Sequence, residues 1–112
     1  MKNVFEEIVK GNIPCDKVFE NERILAFNDI APQAPVHVLI IPKKSITNIA
    51  DASEEDSALL GEMLLVAKAI AKTRGIEDNF RVVTNSGPEA GQGVFHLHFH
   101  LLGGRSLSGR LG

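Results

Sequence analysis

The sequence predicts a single α+β domain with a long helix packed on a sheet, and three observations predict it. Residues 96–102 alternate imidazole and hydrocarbon with a period of two; residues 24–27, 36–41 and 80–84 are short apolar or β-branched runs; and residues 53–75 repeat apolar side chains at helical spacing. At 112 residues and 44% hydrophobic composition, the chain 1–112 suits one domain whose core needs no staples.

The elements follow in order. Asn3 is placed as an N-cap with Glu6 three residues on, and Val4, Phe5, Ile8 and Val9 form an apolar stripe that Gly11 ends. Pro14 interrupts the chain before a short strand at 17–20, and Asn21-Glu22 reads as a turn into the strand 24–27. Residues 28–35, with prolines at 32 and 35, form an irregular loop of the kind that carries binding groups on a rigid sheet. A buried strand at 36–41 is apolar apart from His37, and a strand at 80–84 precedes the glycine-rich segment 85–93. That segment leads through Val94-Phe95 into the histidine strand, and residues 106–112 form a short tail.

Ser53 with Asp56 makes an acidic variant of the capping box, and Gly75 is the stop of a helix of about 21 residues. Its main face is Leu59, Leu60, Met63, Leu64, Val66, Ala67, Ile70 and Ala71, while Ala58, Leu65 and Ala69 fall on the opposite side at about 100° per residue. One sheet cannot cover both sides. The pattern therefore predicts a second subunit on the far face, in a two-fold homodimer.

Composition narrows the function classes. The net charge is −2, and the basic residues are scattered except for Lys43-Lys44 and the pair Arg105 and Arg110, which argues against a nucleic acid polymer as partner. No apolar run approaches the length that spans a bilayer, and acidic residues at 6 and 7 come too early for a secretory signal, so a cytoplasmic protein without a membrane partner is expected. The single cysteine, Cys15, has no internal disulfide partner and is expected to be a small, half-buried residue.

Three of the four histidines lie within five residues. On a strand, His96, His98 and His100 share one face, about 6.6 Å apart along the axis, and Leu97, Phe99 and Leu101 share the core face. Three readings remain open from the residues: a zinc site, which alternate strand histidines can build; structural packing, which would require a hydrogen-bond partner for each ring; and covalent catalysis, in which a neutral imidazole attacks phosphorus. The glycines before the triad let the backbone turn successive N–H groups toward an anion, which suits the last reading. Asp29, at the end of a strand, is placed either to bind a vicinal diol such as a ribose or to cap its own turn.

The run His96-Leu97-His98-Phe99-His100-Leu101-Leu102 resembles the signature of the histidine triad superfamily. Ile13-Pro14, residues 27–37, residues 41–44, the long helix, Asn85, Gly91-Gln92 and Gly103-Gly104-Arg105 extend the likeness to its nucleotide-binding, purine nucleoside phosphoramidase branch. The resemblance implies an antiparallel sheet in a homodimer and hydrolysis of adenosine or guanosine 5′-phosphoramidates and acyl adenylates, derivatives of AMP or GMP, without a metal or cofactor. It implies that His98 is the nucleophile, that His100 contacts the phosphate, and that His96 and His37 orient the cluster. Asp29 would bind the ribose; Asn85 and Gly91, with the backbone of Gln92, Gly93 and Val94, would hold the phosphate; Phe5, Ile8, Ile13, Phe27, Ile30 and Leu39 would line the purine pocket. Dinucleoside polyphosphates are the alternative substrates, and a nucleotide-binding interaction protein with little turnover is the alternative class. The chain departs from its relatives at Gly93, where many carry a hydroxyl residue that assists the leaving group, and in its tail.

Overall fold

The computed structural model describes residues 3–110, so residues 111 and 112 of the expected tail, and the first two residues of the chain, lie outside the described residues. The elements are α1 (Val4–Val9), β1 (Lys17–Glu20), β2 (Ile24–Asn28), β3 (Val36–Pro42), α2 (Ser57–Thr73), β4 (Phe80–Val83) and β5 (Phe99–Gly103). The strands form one sheet in the order β1-β2-β3-β5-β4, with every neighbouring pair antiparallel. No helix among the described residues is long and apolar enough to cross a membrane.

Register divides the sheet into two faces with different tasks. Leu25 pairs with Ile41, Phe27 with Leu39, and Leu39 with His100, so these side chains and His37 share one face. Ile24, Ala26, Val38, Ile40, Phe99 and Leu101 share the other, where they pack on Met63, Val66, Ala67, Ile70 and Ala71 of α2. Burying a side chain such as Ile70 in that layer contributes about 1.5–3 kcal/mol by area. The first face is covered only in part, by α1: Phe5, with Ile8 and Val9, packs on Leu25, Phe27, Leu39 and Ile41. The uncovered remainder of this face carries the site.

Both helices start as the sequence predicts. Asn3 accepts the Glu6 N–H at 2.8 Å, and Asp56 accepts the Ser53 N–H at 2.9 Å. The second start differs in detail: residues 54–56 form a 3₁₀ turn, and the α-helix begins at Ser57 and runs for 17 residues. Asp56 is drawn inward by Ser53 and by Lys44, whose Nζ lies 2.6 Å from its second oxygen, and this tightens the turn. At the other end Gly75 adopts φ +75 and the Ile76 N–H reaches back to the Ala71 carbonyl at 2.9 Å, closing a Schellman motif. Leu64 does not join the buried stripe. It is 51% exposed and Leu65 is 66% exposed, because the sheet touches only the stripe through Met63, Val66, Ala67, Ile70 and Ala71.

The histidine strand is shorter than its alternation predicts. β5 begins at Phe99, opposite Ile40, so His96 and His98 lie ahead of the ladder. Pro42 closes β3 and has no N–H to continue the pairing. The chain at this point turns to other partners: the Leu97 N–H goes to the Ile46 carbonyl at 2.7 Å, and the Pro42 carbonyl takes the His96 ring. Leu97, Phe99 and Leu101 nonetheless all enter the α2 core, as the period of two requires.

Candidate active site

A cavity of about 340 Å3 opens on the uncovered face of the sheet, between α1, the ends of β2 and β3, and the histidine segment. Its lining includes the expected Phe5, Ile8, Phe27, Asp29, Ile30, Leu39, Val94, His98 and His100, together with Val4, residues 14–16 and Asn28. The floor is apolar because it is the sheet face itself. Phe5 stands between floor and histidine segment, its ring edge-on to Phe27 at 5.6 Å and to His98 at 5.1 Å. Ile30 projects from the rim at 99% exposure, available to cover whatever enters.

Hydrogen bonds assign the protons on each ring. The Gln33 backbone N–H donates to His37 Nδ1 at 3.0 Å, so in the neutral ring the proton sits on Nε2. That proton points at His100 Nδ1, 2.9 Å away, with Asp29 Oδ2 at 3.4 Å. His100 Nδ1 therefore accepts, and the His100 proton is carried on Nε2. His98 runs the opposite way: its Nδ1–H donates to the His96 carbonyl at 2.8 Å, which leaves the lone pair on Nε2. Thr84 Oγ1 donates to the His98 carbonyl at 2.8 Å and fixes the backbone beneath the ring. One cavity thus receives a nucleophilic lone pair from His98 and an N–H donor from His100, on rings whose centroids are 5.0 Å apart.

Electrostatics keep these rings neutral. Burial pushes His100 down to about 4, helped by its neighbours His98 and His37. Burial also lowers His98 and His37, and in His37 it outweighs the Asp29 carboxylate that favours the charged form. His96 is 1% exposed, and its Nε2–H donates to the Pro42 carbonyl at 2.8 Å. Its ring sits 6.4 Å from Phe5 and does not line the cavity.

Other expected residues stand further off. Asp29 caps its own turn, Oδ1 accepting the Ala31 N–H at 2.8 Å, and the residue also lines the cavity. Gln92, 3% exposed, is a fastener: its amide accepts from the Gly87 N–H at 2.9 Å and donates to the Thr47 and Val94 carbonyls at 2.7 and 3.0 Å. Asn85 lies against Gly91. Asn85, Gly91, Gln92 and Gly93 do not line the cavity, and Ile13 also lies outside it, 37% exposed. Cys15 is half-buried as expected, and burial raises its thiol, which makes it an inert wall residue.

Two contributors have no signal in the sequence. Gln33 acts through its backbone N–H, placed by the fold of the loop 29–35, and any residue but proline supplies that group. Asp16 reaches the cavity only because β1 pairs at the edge of the sheet beside β2.

The HIT domain family model matches residues 10–107. An uncharacterized HIT-like protein of Synechococcus elongatus is 53% identical over 105 residues, covering 94% of this chain and 92% of that protein. A 14 kDa zinc-binding protein of Zea mays is 50% identical over 107 residues, covering 94% and 84%. Among solved structures, a HIT family hydrolase from Legionella pneumophila superposes with a TM-score of 0.97 at 46% identity, covering 99% of this chain and 100% of that one. A histidine triad protein from Clostridium difficile gives a TM-score of 0.91 at 40% identity, covering 96% and 94%.

Proposed function

The chain belongs to the HIT family, and on that premise we propose that it is a nucleotide-binding hydrolase that cleaves purine nucleoside 5′-phosphoramidates or acyl adenylates through a nucleotidyl intermediate on His98. The observation that carries the reading is the proton placement: His98 Nε2 is unprotonated while His98 Nδ1 is held by the His96 carbonyl. A neutral imidazole in that tautomer is ready to attack without first losing a proton.

His98 Nε2 bonds to phosphorus and the phosphorus–nitrogen bond of the substrate breaks, the amine leaving with the electron pair and taking up a proton. His100 Nε2–H donates to a non-bridging oxygen as charge develops there, and His37 holds it in that tautomer. Water then attacks phosphorus and gives up one proton, replacing the one taken by the amine, the bond to His98 breaks, and the imidazole returns to its starting form. Asp29 at the cavity rim binds the ribose hydroxyls, the apolar floor takes the base, and Val94 marks the point where the backbone running from Gln92 reaches the cavity to support the phosphate. At Gly93 only backbone is offered, so the leaving amine draws its proton from the histidines or water.

Two copies of the chain are expected to pair through the far side of α2, where Ala58, Leu65 and Ala69 are exposed. The location is taken to be the cytoplasm.

Zinc is the second reading, favoured by the maize relative's name and by Asp29, His37 and His100, whose ligand atoms lie within 4.8 Å of one another. The donors do not fit it. His37 Nε2 bears the proton that Gln33 places there, and its 2.9 Å separation from His100 Nδ1 is shorter than the ~3.3 Å between tetrahedral ligands at zinc–nitrogen bonds of about 2.0 Å.

Replacing His98 by alanine is expected to abolish hydrolysis of an adenosine phosphoramidate while AMP still binds. Undiminished turnover in that variant would end the proposal. Comparison of kcat/KM on phosphoramidates and dinucleoside polyphosphates separates the two substrate classes.

A further inference from the structure

The far end of the cavity is not used by the phosphate chemistry. Sheet order arranges its contents: His98 and His100 belong to the β5 side, Leu39 to β3, Phe27 and Asn28 to β2, and residues 14–16 precede β1. Three strand spacings of about 4.8 Å place that end roughly 14 Å from the histidines. A purine nucleotide anchored through its phosphorus at His98 spans most of this distance, and one hydrogen bond closes the rest.

Asp16 stands at that end and is held there. Asn28 Nδ2 donates to Asp16 Oδ2 at 2.8 Å, and the Asn28 backbone N–H donates to the Asp16 carbonyl at 3.0 Å. Asn28 Oδ1 in turn accepts from the Arg74 guanidinium at 3.1 Å. A guanidinium only donates, so Arg74 orients the Asn28 amide with its NH₂ toward Asp16. The carboxylate is therefore anchored to the end of α2, with acceptor capacity left over for the cavity that it lines.

We propose that Asp16 reads the Watson–Crick edge of the base and makes this site selective for guanine over adenine, an inference that rests on the nucleotide-hydrolase reading. Guanine offers two adjacent donors, N1–H and the 2-amino group, which match the two oxygens of a carboxylate. Adenine offers the 6-amino group beside the N1 lone pair, so one hydrogen bond forms and one lone pair faces another. Phe5, Ile8, Phe27 and Leu39 select a flat ring but cannot tell the two purines apart.

Titration calorimetry of the unmodified protein with GMP, IMP and AMP, which are not turned over, tests the assignment. GMP binds about tenfold or more tighter than AMP, as a bidentate base contact predicts, and IMP, with one donor fewer, falls between them. Asp16→Ala removes the preference and leaves AMP affinity within about twofold; Asp16→Asn, which pairs an acceptor with a donor, shifts the preference toward AMP. Equal affinity for GMP and AMP, or a preference that survives Asp16→Ala, overturns the base assignment while leaving the hydrolase reading standing. Binding of none of the three overturns both.

Discussion

Replacing His37 by leucine isolates the proton placement on which catalysis depends. Leucine approximates the ring's volume on a strand that is buried throughout, but it cannot donate to His100 Nδ1 across the present 2.9 Å. His100 then loses the partner that holds its proton on Nε2. An unmade buried hydrogen bond costs about 1–3 kcal/mol, and at 1.36 kcal/mol per tenfold this lowers kcat by about five- to 160-fold. KM is expected to change little, because the substitution leaves the proposed base and ribose contacts intact. His37→Gln, whose amide can donate to the same nitrogen, recovers most of the loss. Single-turnover rates on an adenosine phosphoramidate, with imidazole nitrogen chemical shifts of His100, read both effects. A leucine variant within twofold of the parent in kcat, with unchanged shifts, would refute the tautomer chain.

The remaining expectations concern pH, assembly, packing and metal. The acid limb of kcat/KM falls below 6.5, the ordinary imidazole value, because burial lowers His98. Stability follows the same sign: His100 binds its proton near 4 in the folded chain and near 6.5 in the unfolded one, so its contribution is complete above pH 6.5 and is lost as pH falls toward 4, as urea titrations at several pH values would record. Light scattering is expected to give a dimeric mass for the parent chain and a monomeric one for Leu65→Lys, at a position 66% exposed in the isolated chain; a monomeric parent would end the dimer proposal, and a dimeric variant would place the interface elsewhere. Gly103→Ala puts a Cβ 2.6 Å from Ile76 Cδ1 and 3.3 Å from the Asn79 carbonyl, costing about 1–3 kcal/mol in chemical denaturation. Hydrolysis persists in excess chelator; its loss, restored by stoichiometric zinc, would reinstate the metal reading.

Much of this organisation is legible in the residues because it follows from periodicity. Alternation at 96–102 assigns Leu97, Phe99 and Leu101 to the core, and they are there. The caps at Asn3 and Ser53 and the stop at Gly75 are local chemistry, so they appear where the residue types place them. Periodicity does not tell how far a ladder extends: β5 begins only at Phe99 because its partner strand ends in proline, a fact about two distant segments. It also overstates the buried face of α2, since Leu64 lies within the apolar stripe but beyond the reach of the sheet. The proton placements are further from view. They depend on a backbone N–H at Gln33 and a carbonyl at His96, groups that every ordinary residue carries and that only the fold aims. Gln92 illustrates the converse, a polar side chain beside the triad whose amide is spent on holding the loop.

The covalent role of His98 is tested most directly by intact-mass analysis after millisecond quenching of the protein with a purine nucleoside phosphoramidate. One nucleotidyl group is expected on the chain during turnover, located on His98 by fragmentation and absent from His98→Ala. Full turnover with no adduct, or an adduct on another histidine, would contradict the assignment.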